Sequence, residues 1–263
     1  MATKADIERF DIHVYNDDGF TKASADVIKE VPLEIFLNGQ KVITLACNGN
    51  HTEDLAVGFL RSEGFIRDAA DLQQLEVSDE RSIVSVYTKG ETRLPWNEKN
   101  AGKTIASSGA RSWIRDDISH SPKSLLENRI CISPKIVFTL VEKLIDSSHF
   151  HKRTGGTHSS ALAHGESIII VREDIGRHNT IDMLGGYALL NEIDCSDKII
   201  VRTGRVSLEI VNKVWNLGIP LIVSLSVPTS SAIYASMESG ITLIGSVRGG
   251  KMNVYCHEWR VVI

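Results

Sequence analysis

The chain has 263 residues, enough for one large domain or a domain with an appendage, and its 42% hydrophobic and 24% charged content is that of a globular protein without long disordered tracts. A formal charge of −4 argues against nonspecific nucleic-acid binding through the whole surface but allows a local basic pocket. No apolar run nears the length of a membrane span, no secretory core follows Met1, and Cys47, Cys131, Cys195 and Cys256 form no Cys-x-x-Cys pair; a cytoplasmic protein without disulfide framework or metal site is expected.

From Leu33 to Leu45 two β-rich runs flank Asn38-Gly39, a pair that tolerates the positive φ of a type I′ turn, so a hairpin is predicted. Thr52-Glu53-Asp54 then caps a helix with the apolar stripe Leu55, Phe59 and Leu60, ended by Gly64. Leu75 to Val77 and Ile83 to Tyr87 predict a second hairpin. Residues 89–128 are polar and irregular, and a stretch of that length is seldom an idle connection. Ser133-Pro134 supplies an N-cap and a proline at the first helical position for a helix carrying Val137, Leu140, Val141 and Leu144.

From Thr154 onward strands alternate with helices. Strands are expected at Ser159 to Ala163, Ser167 to Arg172, Lys198 to Arg202, Pro220 to Leu225, Ile241 to Val247 and Asn253 to Cys256, and helices near Asn179 to Leu190, Ser207 to Leu217 and Ser230 to Ser239. This is an α/β sheet with helices on its faces. The chain thus divides into a mixed α/β subdomain of hairpins and a helix (1–100), an irregular loop (101–130) and an α/β domain (131–263).

Ile168 to Val171 suits a strand buried on both faces of a parallel sheet, and Glu173, Asp174, Arg177 and His178 follow it. Open α/β sheets place ligand crevices beyond such carboxyl ends. Alternatively, Asp174 merely caps the helix from Gly176 to Leu190. If the strands are mostly parallel, the loops with Gly204 and Arg205, with Thr229 and Ser230, and with Ser246, Val247, Arg248, Gly249, Gly250 and Lys251 leave the same edge. Glycine, hydroxyl and guanidinium groups there, with Arg177 and His178, would line a positive crevice for a dinucleotide or pyrophosphate cofactor. Taken singly, each loop is better explained by turns and by arginines facing solvent in salt bridges. Gly155-Gly156 before His158 either approaches a ligand closely or forms a turn, and His158 alone has the ordinary look of a structural histidine.

The motifs Glu53 to Leu60, Thr154 to His158, Glu173 to Asn179, Gly204 to Ser207 and Val247 to Gly250, with the Asn38-Gly39 hairpin, occur in an order that resembles the FdhD family of formate dehydrogenase accessory sulfurtransferases. The resemblance implies a cytidine-deaminase-like three-layer α/β fold and a cytoplasmic homodimer. It also implies binding of Mo-bis(molybdopterin guanine dinucleotide), with GDP as a partial mimic and the guanine segment at Ser246 to Lys251. Family members take persulfide sulfur from a cysteine desulfurase and pass it to that cofactor for formate dehydrogenase. Ser246 and Met183 depart from the residues usual in the family.

A larger departure is that Ser108 and Arg111 stand where the family has its Cys-x-x-Cys thiols. A persulfide relay needs a polarisable thiolate, which a serine hydroxyl cannot replace, so persulfide transfer is doubtful and Cys131 is a weak substitute. The competing expectation from the fold is a deaminase-like hydrolase acting on a nucleotide, with His164-Gly165-Glu166 as its zinc motif. No Cys-x-x-Cys follows it, and Gly165 between two apolar runs suits a hairpin turn better.

Overall fold

The computed structural model describes residues 6–78, 82–89, 104–105, 126 and 130–263. β1 (Ile7–Asn16) and β2 (Gly19–Ile28) form a two-stranded hairpin of their own, with Tyr15 and Phe20 exposed and in edge-to-face contact near its tip. This hairpin is absent from the sequence expectations, although Asp18-Gly19 is a turn signal for it. β3 (Val31–Leu37) and β4 (Gln40–Cys47) make the predicted hairpin, with Asn38 at φ 50° and Gly39 at φ 79°. β5 (Leu72–Val77) and β6 (Ile83–Thr88) pair antiparallel as expected, and β7 (Thr104–Ile105) completes a sheet ordered β5-β6-β3-β4-β7.

Helix α1 (Thr52–Ser62) lies on this sheet and packs Leu55, Phe59 and Leu60 among Leu33, Ile35, Leu45 and Val84. Its start differs from expectation. His51, in the left-handed region, is the N-cap and makes no side-chain cap bond, and the Thr52 hydroxyl is buried with no partner among the described residues. Asp54, in the first turn, directs its carboxylate to an arginine of the second sheet.

That sheet has six strands: β8 (His158–His164), β9 (Ser167–Asp174), β10 (Ile199–Arg202), β11 (Leu221–Ser224), β12 (Thr242–Arg248) and β13 (Lys251–Cys256), ordered β13-β12-β11-β10-β8-β9. Helix α2 (Pro134–Ser147) starts as predicted, with the Ser133 hydroxyl accepting the Ile136 N–H, and covers one face through Val137, Leu140 and Leu144 against Ala161, Val201 and Val223. A short α3 (His149–Thr154) follows. Helices α4 (Asn179–Leu190), α5 (Leu208–Asn216) and α6 (Ser230–Ser239) cover the other face, over Leu162, Ile200, Ile222 and Leu243. The alternation of Ile199 and Val201 with Ile200 is thus the mark of a strand buried on both sides.

Two expectations need correction. The run Ile168 to Val171 is not a central parallel strand, for β9 is an edge strand antiparallel to β8, and Ile169 is 37% exposed. Gly165, at φ 55°, turns the chain straight back on itself and so decides the pairing. Nor is the sheet mostly parallel, since only β10, β11 and β12 run side by side in one direction. The inferred edge nevertheless exists. β8 is antiparallel to β10 and β9 to β8, so β9 recovers the direction of β10, and the carboxyl ends of β9, β10, β11 and β12 share one side.

The two sheets are joined by α1 crossing α4 at backbone distance. A Cβ added to Gly58 would overlap the Asp182 carbonyl and come within 2.7 Å of the Gly186 nitrogen; one on Gly186 would overlap the Asp54 carbonyl. Lys213 of α5 ties the helices together, donating to both carboxylate oxygens of Asp182 at 2.7 and 2.8 Å and to the Ser62 hydroxyl at 2.8 Å.

Candidate functional site

A cleft of about 590 Å³ opens at the shared strand edge, lined by His151, Lys152, Gly155, Gly156, His158 and Thr203. Its wall is α3, which is held by a carboxylate of the charged cluster. Glu173 accepts the Phe150 and His151 N–H groups at 3.0 Å each and the Ser159 hydroxyl at 3.2 Å. His151 bonds the Thr157 carbonyl through Nδ1 at 2.6 Å, so that nitrogen carries the proton.

Asp174 also turns inward. It accepts the Asn48 and Gly176 N–H groups, each at 2.8 Å, and the Asn179 amide at 2.7 Å, tying the turn before α4 to the end of β4. It does not cap α4, whose N-cap is His178, a residue that makes no side-chain cap bond. Burial outweighs those three donors and pushes its carboxyl up to about 6. The folded chain then holds this proton more tightly than the unfolded chain, so the group adds stability as pH falls from neutrality through 6 and ceases to add below the ordinary carboxylate value. Melting temperatures recorded from neutral to acid pH are expected to show that rise and to lose it in Asp174→Asn; an unaltered profile would mean the group titrates normally.

Behind the cleft sits a residue without a place among the sequence expectations. Arg202, the last residue of β10, is fully buried between Ser160 and Ser224 in strand register. Its Nε donates to the Gly204 carbonyl at 3.1 Å and Nη2 to the Arg177 carbonyl at 3.3 Å, while Nη1 has no partner among the described residues. Burial, and then the neighbouring Arg177, lowers its pKa to about 9. His158 is lowered to about 4, chiefly by burial and next by Arg202 and Arg177, so its ring is neutral at physiological pH. A Cβ on Gly204 would stand 3.0 Å from Arg202 Nη2, 3.3 Å from His158 Nδ1 and 3.4 Å from Arg177 Cβ, which makes Gly204 the point where the three meet. The sequence signal was an arginine closing the apolar strand Ile199-Ile200-Val201.

The FdhD/NarQ family model matches residues 28–262. The chain belongs to the FdhD/NarQ family. It is 33% identical over 252 residues to the sulfur carrier protein FdhD of Bacillus pumilus, covering 95% of each chain. It is 34% identical over 255 residues to that of Bacillus subtilis, covering 95% of this chain and 96% of the relative. A crystal structure described as a formate dehydrogenase accessory protein, from Desulfotalea psychrophila, shares the fold with a TM-score of 0.84 at 23% identity, across 98% of this chain and all of that one.

Within this FdhD/NarQ fold the other expected site residues spread out. His178 turns away from the cleft, its Nε2 3.0 Å from Glu209 and 3.5 Å from the Ser207 hydroxyl, and that bond lowers the Glu209 pKa. Thr229 caps α6 by accepting the Ala232 N–H at 3.2 Å, and Ser230 is exposed beside it. Arg205, Arg248, Gly249, Gly250 and Lys251 are exposed. Val247 is buried in the core under α2, so only its backbone faces outward chemistry. Ser246, at φ 56°, donates its N–H to the Ser226 carbonyl at 3.0 Å and fixes the β12–β13 turn to the loop after β11.

Arg177, Arg205 and Arg248 therefore do not line one cavity. They stand along an edge of five neighbouring strands, roughly 19 Å at the usual strand spacing. Gly155, Gly156, His158, Gly204 and Arg177 cluster at its β9–β8–β10 end, and Ser246 to Lys251 lie at the other. Ser108 and Arg111 fall outside the described residues.

The thiols are poorly placed for an FdhD/NarQ sulfur carrier. Cys47, Cys195 and Cys256 are buried, and burial pushes the Cys47 thiol up to about 12. Cys131 is exposed in a separate cavity of about 380 Å³ with His164, Gly165 and Asp197, at the opposite end of β8, roughly 20 Å from the cleft by strand rise. The chain has four cysteines, and none faces the cleft.

The hydrolase expectation loses its footing at that opposite end too. His164-Gly165-Glu166 is the tip of the β8–β9 hairpin, and His164 is paired with Asp197 at 3.2 Å. Among the described residues no three His, Cys, Asp or Glu side chains gather to hold a metal, and no helix is long and apolar enough to cross a membrane.

Proposed function

We propose that this chain serves formate dehydrogenase by binding Mo-bis(molybdopterin guanine dinucleotide) along the strand-end edge and handing it on, without carrying sulfur on a thiol of its own. The observation that carries this reading is the buried guanidinium of Arg202, with no partner for Nη1 among the described residues, which meets Arg177 and His158 beside an open cleft. Buried charge without a partner is costly and is kept where a ligand supplies the counter-charge. A molecule with guanine, pyrophosphate and pterin in series is elongated, as is the edge from Arg177 to Arg248.

The same reading makes residues 131–263 a cytidine-deaminase-like cofactor domain propped by the N-terminal subdomain. It places the protein in the cytoplasm, with a cysteine desulfurase as partner and a second copy of the chain paired to it; the exposed Tyr15–Phe20 pair supports that pairing. With no cysteine at the cleft, sulfur delivered by the desulfurase would reach the bound cofactor without a persulfide on this chain.

Titration calorimetry with GDP tests the binding half. We expect saturable binding that weakens about tenfold or more in Arg248→Ala, the loss of a charge-assisted contact; equal affinity in the variant would mean that the guanine end is misplaced. Intact mass after incubation with a cysteine desulfurase and cysteine tests the other half. No added sulfur is expected, and an adduct on any cysteine would restore the carrier mechanism to this chain.

A further inference from the structure

We propose that the cavity around Cys131 is a thiol–disulfide exchange site whose substrate is a small uncharged disulfide. Cys131 is its nucleophile, His164 carries the proton and Asp197 orients the imidazole. The site lies at the far end of β8 from the strand-end cleft and stands or falls independently of the cofactor-binding reading.

Of the four cysteines, Cys131 alone is exposed, and it sits on a fixed stretch of backbone. Ile132 beside it donates its N–H to the Arg260 carbonyl at 2.8 Å and accepts the Val262 N–H at 3.0 Å, and Ser133 caps α2. The register of β8 on β10, with Ala163 opposite Ile199, brings His164 against the residues that lead into β10. Its Nδ1 stands 3.2 Å from an Asp197 carboxylate oxygen and 3.4 Å from the Asp197 carbonyl. Both partners only accept, so Nδ1 carries the proton and Nε2 keeps its lone pair. That is the tautomer in which an imidazole held by an acid takes a proton from a nucleophile. Cys131, His164 and Asp197 line one cavity of about 380 Å³, within the roughly 300–1,000 Å³ of small-molecule sites. They do not gather closely enough to hold a metal, so the cavity is no degenerate metal centre. Nearby, burial lowers the pKa of Arg260 and Cys131 raises it in part, which places the sulfur within electrostatic reach of a guanidinium.

The walls choose the electrophile. Two amides of lining residues are already spent, the Ile132 N–H on the Arg260 carbonyl and the Ile136 N–H on the Ser133 hydroxyl at 3.3 Å. Acyl transfer would need such donors for its oxyanion. Disulfide exchange does not, because its charge stays on sulfur. Ile130, Ile132, Ile136 and Ile199 make the rest of the wall apolar, and the Asp197 carboxylate disfavours an anionic substituent. In the step itself, His164 Nε2 takes the thiol proton and Cys131 Sγ attacks one sulfur of R–S–S–R. The old S–S bond breaks as the new one forms, and the departing R–S⁻ takes the proton back from the imidazolium. The products are Cys131–S–S–R and R–SH. The thiol is oxidised by the disulfide that it reduces, so no other oxidant enters.

Dithiodipyridine, uncharged and aromatic, is the probe, and release of its thiopyridone is followed by absorbance on the native full chain at neutral pH. One thiol is expected to react fast, at a rate that saturates with probe, and peptide mass mapping is expected to place the label on Cys131. Its rate should exceed that of the thiols in the same chain unfolded in urea by about a hundredfold, the low end of acid–base assistance. His164→Gln lies at an exposed hairpin tip and should melt like wild type. It should bring the rate back near the unfolded-chain value and remove one limb of the pH–rate profile, a change that altered packing alone would not produce. Asp197→Asn keeps the ring but loosens its hold, and should react at an intermediate rate. The proposal is overturned if Cys131 reacts no faster than the unfolded thiols, if His164→Gln keeps the wild-type rate and profile, or if Asp197→Asn is indistinguishable from wild type. It is also overturned if an aryl thioester acylates Cys131 as fast as the disulfide reacts, since the cavity would then be an acyl-transfer site.

Discussion

Gly58→Ala is expected to destabilise the chain by about 3 kcal/mol or more, toward the upper range for overpacking a rigid contact. The new methyl group would land on the Asp182 carbonyl, which belongs to the backbone of α4 and has no rotamer by which to move aside. Gly186→Ala drives the same two helices apart from the other side, against the Asp54 carbonyl. The double variant should therefore cost less than the sum of the singles, because a crossing already opened by one methyl has room for the second. Gly185→Ala is the control. Its Cβ would meet the end of the Leu217 side chain at 2.9 Å, which can rotate, and alanine favours the helix by about 1 kcal/mol over glycine. Urea unfolding followed by circular dichroism checks all four variants, and a wild-type midpoint for Gly58→Ala would mean that α1 and α4 do not pack at backbone distance.

Local chemistry was legible in the sequence and pairing was not. The Asn38-Gly39 turn, the Ser133-Pro134 cap and the alternation in Ile199 to Val201 each follow from residues within a few positions of one another, and each is found. Four apolar residues at Ile168 to Val171 say that a strand is there, but whether it lies in the middle or at the edge depends on where Gly165 sends it. Glu173 and Asp174 are charged and cluster beside Arg177, which suggests ligands; in space they face amide groups from α3 and from the turn after β4, up to 126 positions away. The shared strand edge exists although its premise of a mostly parallel sheet fails, while Arg202 was not foreseen, because a strand-terminal arginine ordinarily reaches solvent and only the covering loops reveal that this one does not. The arginines expected to share one crevice were chosen by loop composition, which carries no information on spacing between strands.

Breaking the ion pair between Asp54 and Arg172 is expected to cost about 3–5 kcal/mol for either partner alone, as for other buried pairs left half empty. Arg172 on β9 donates Nε and Nη2 to one Asp54 oxygen at 2.8 and 2.6 Å and lies over the Tyr187 ring at 5.0 Å, with both partners almost fully buried. Asp54→Leu strands a guanidinium that keeps only the Val171 carbonyl and the ring; Arg172→Met strands a carboxylate. Burial raises the Asp54 pKa despite the Arg172 guanidinium beside it, and a buried ion pair commonly returns no more than its desolvation costs. The double variant Asp54→Leu with Arg172→Met should then recover most or all of the wild-type stability, and a double variant as unstable as the singles would refute this account. The pair also fastens the edge strand that carries Glu173 and Asp174 to the cleft. Each single variant should therefore loosen α3, which Glu173 of β9 holds by two amides, and the double variant should restore it, since an apolar clasp holds β9 against α1 as well as an ionic one does.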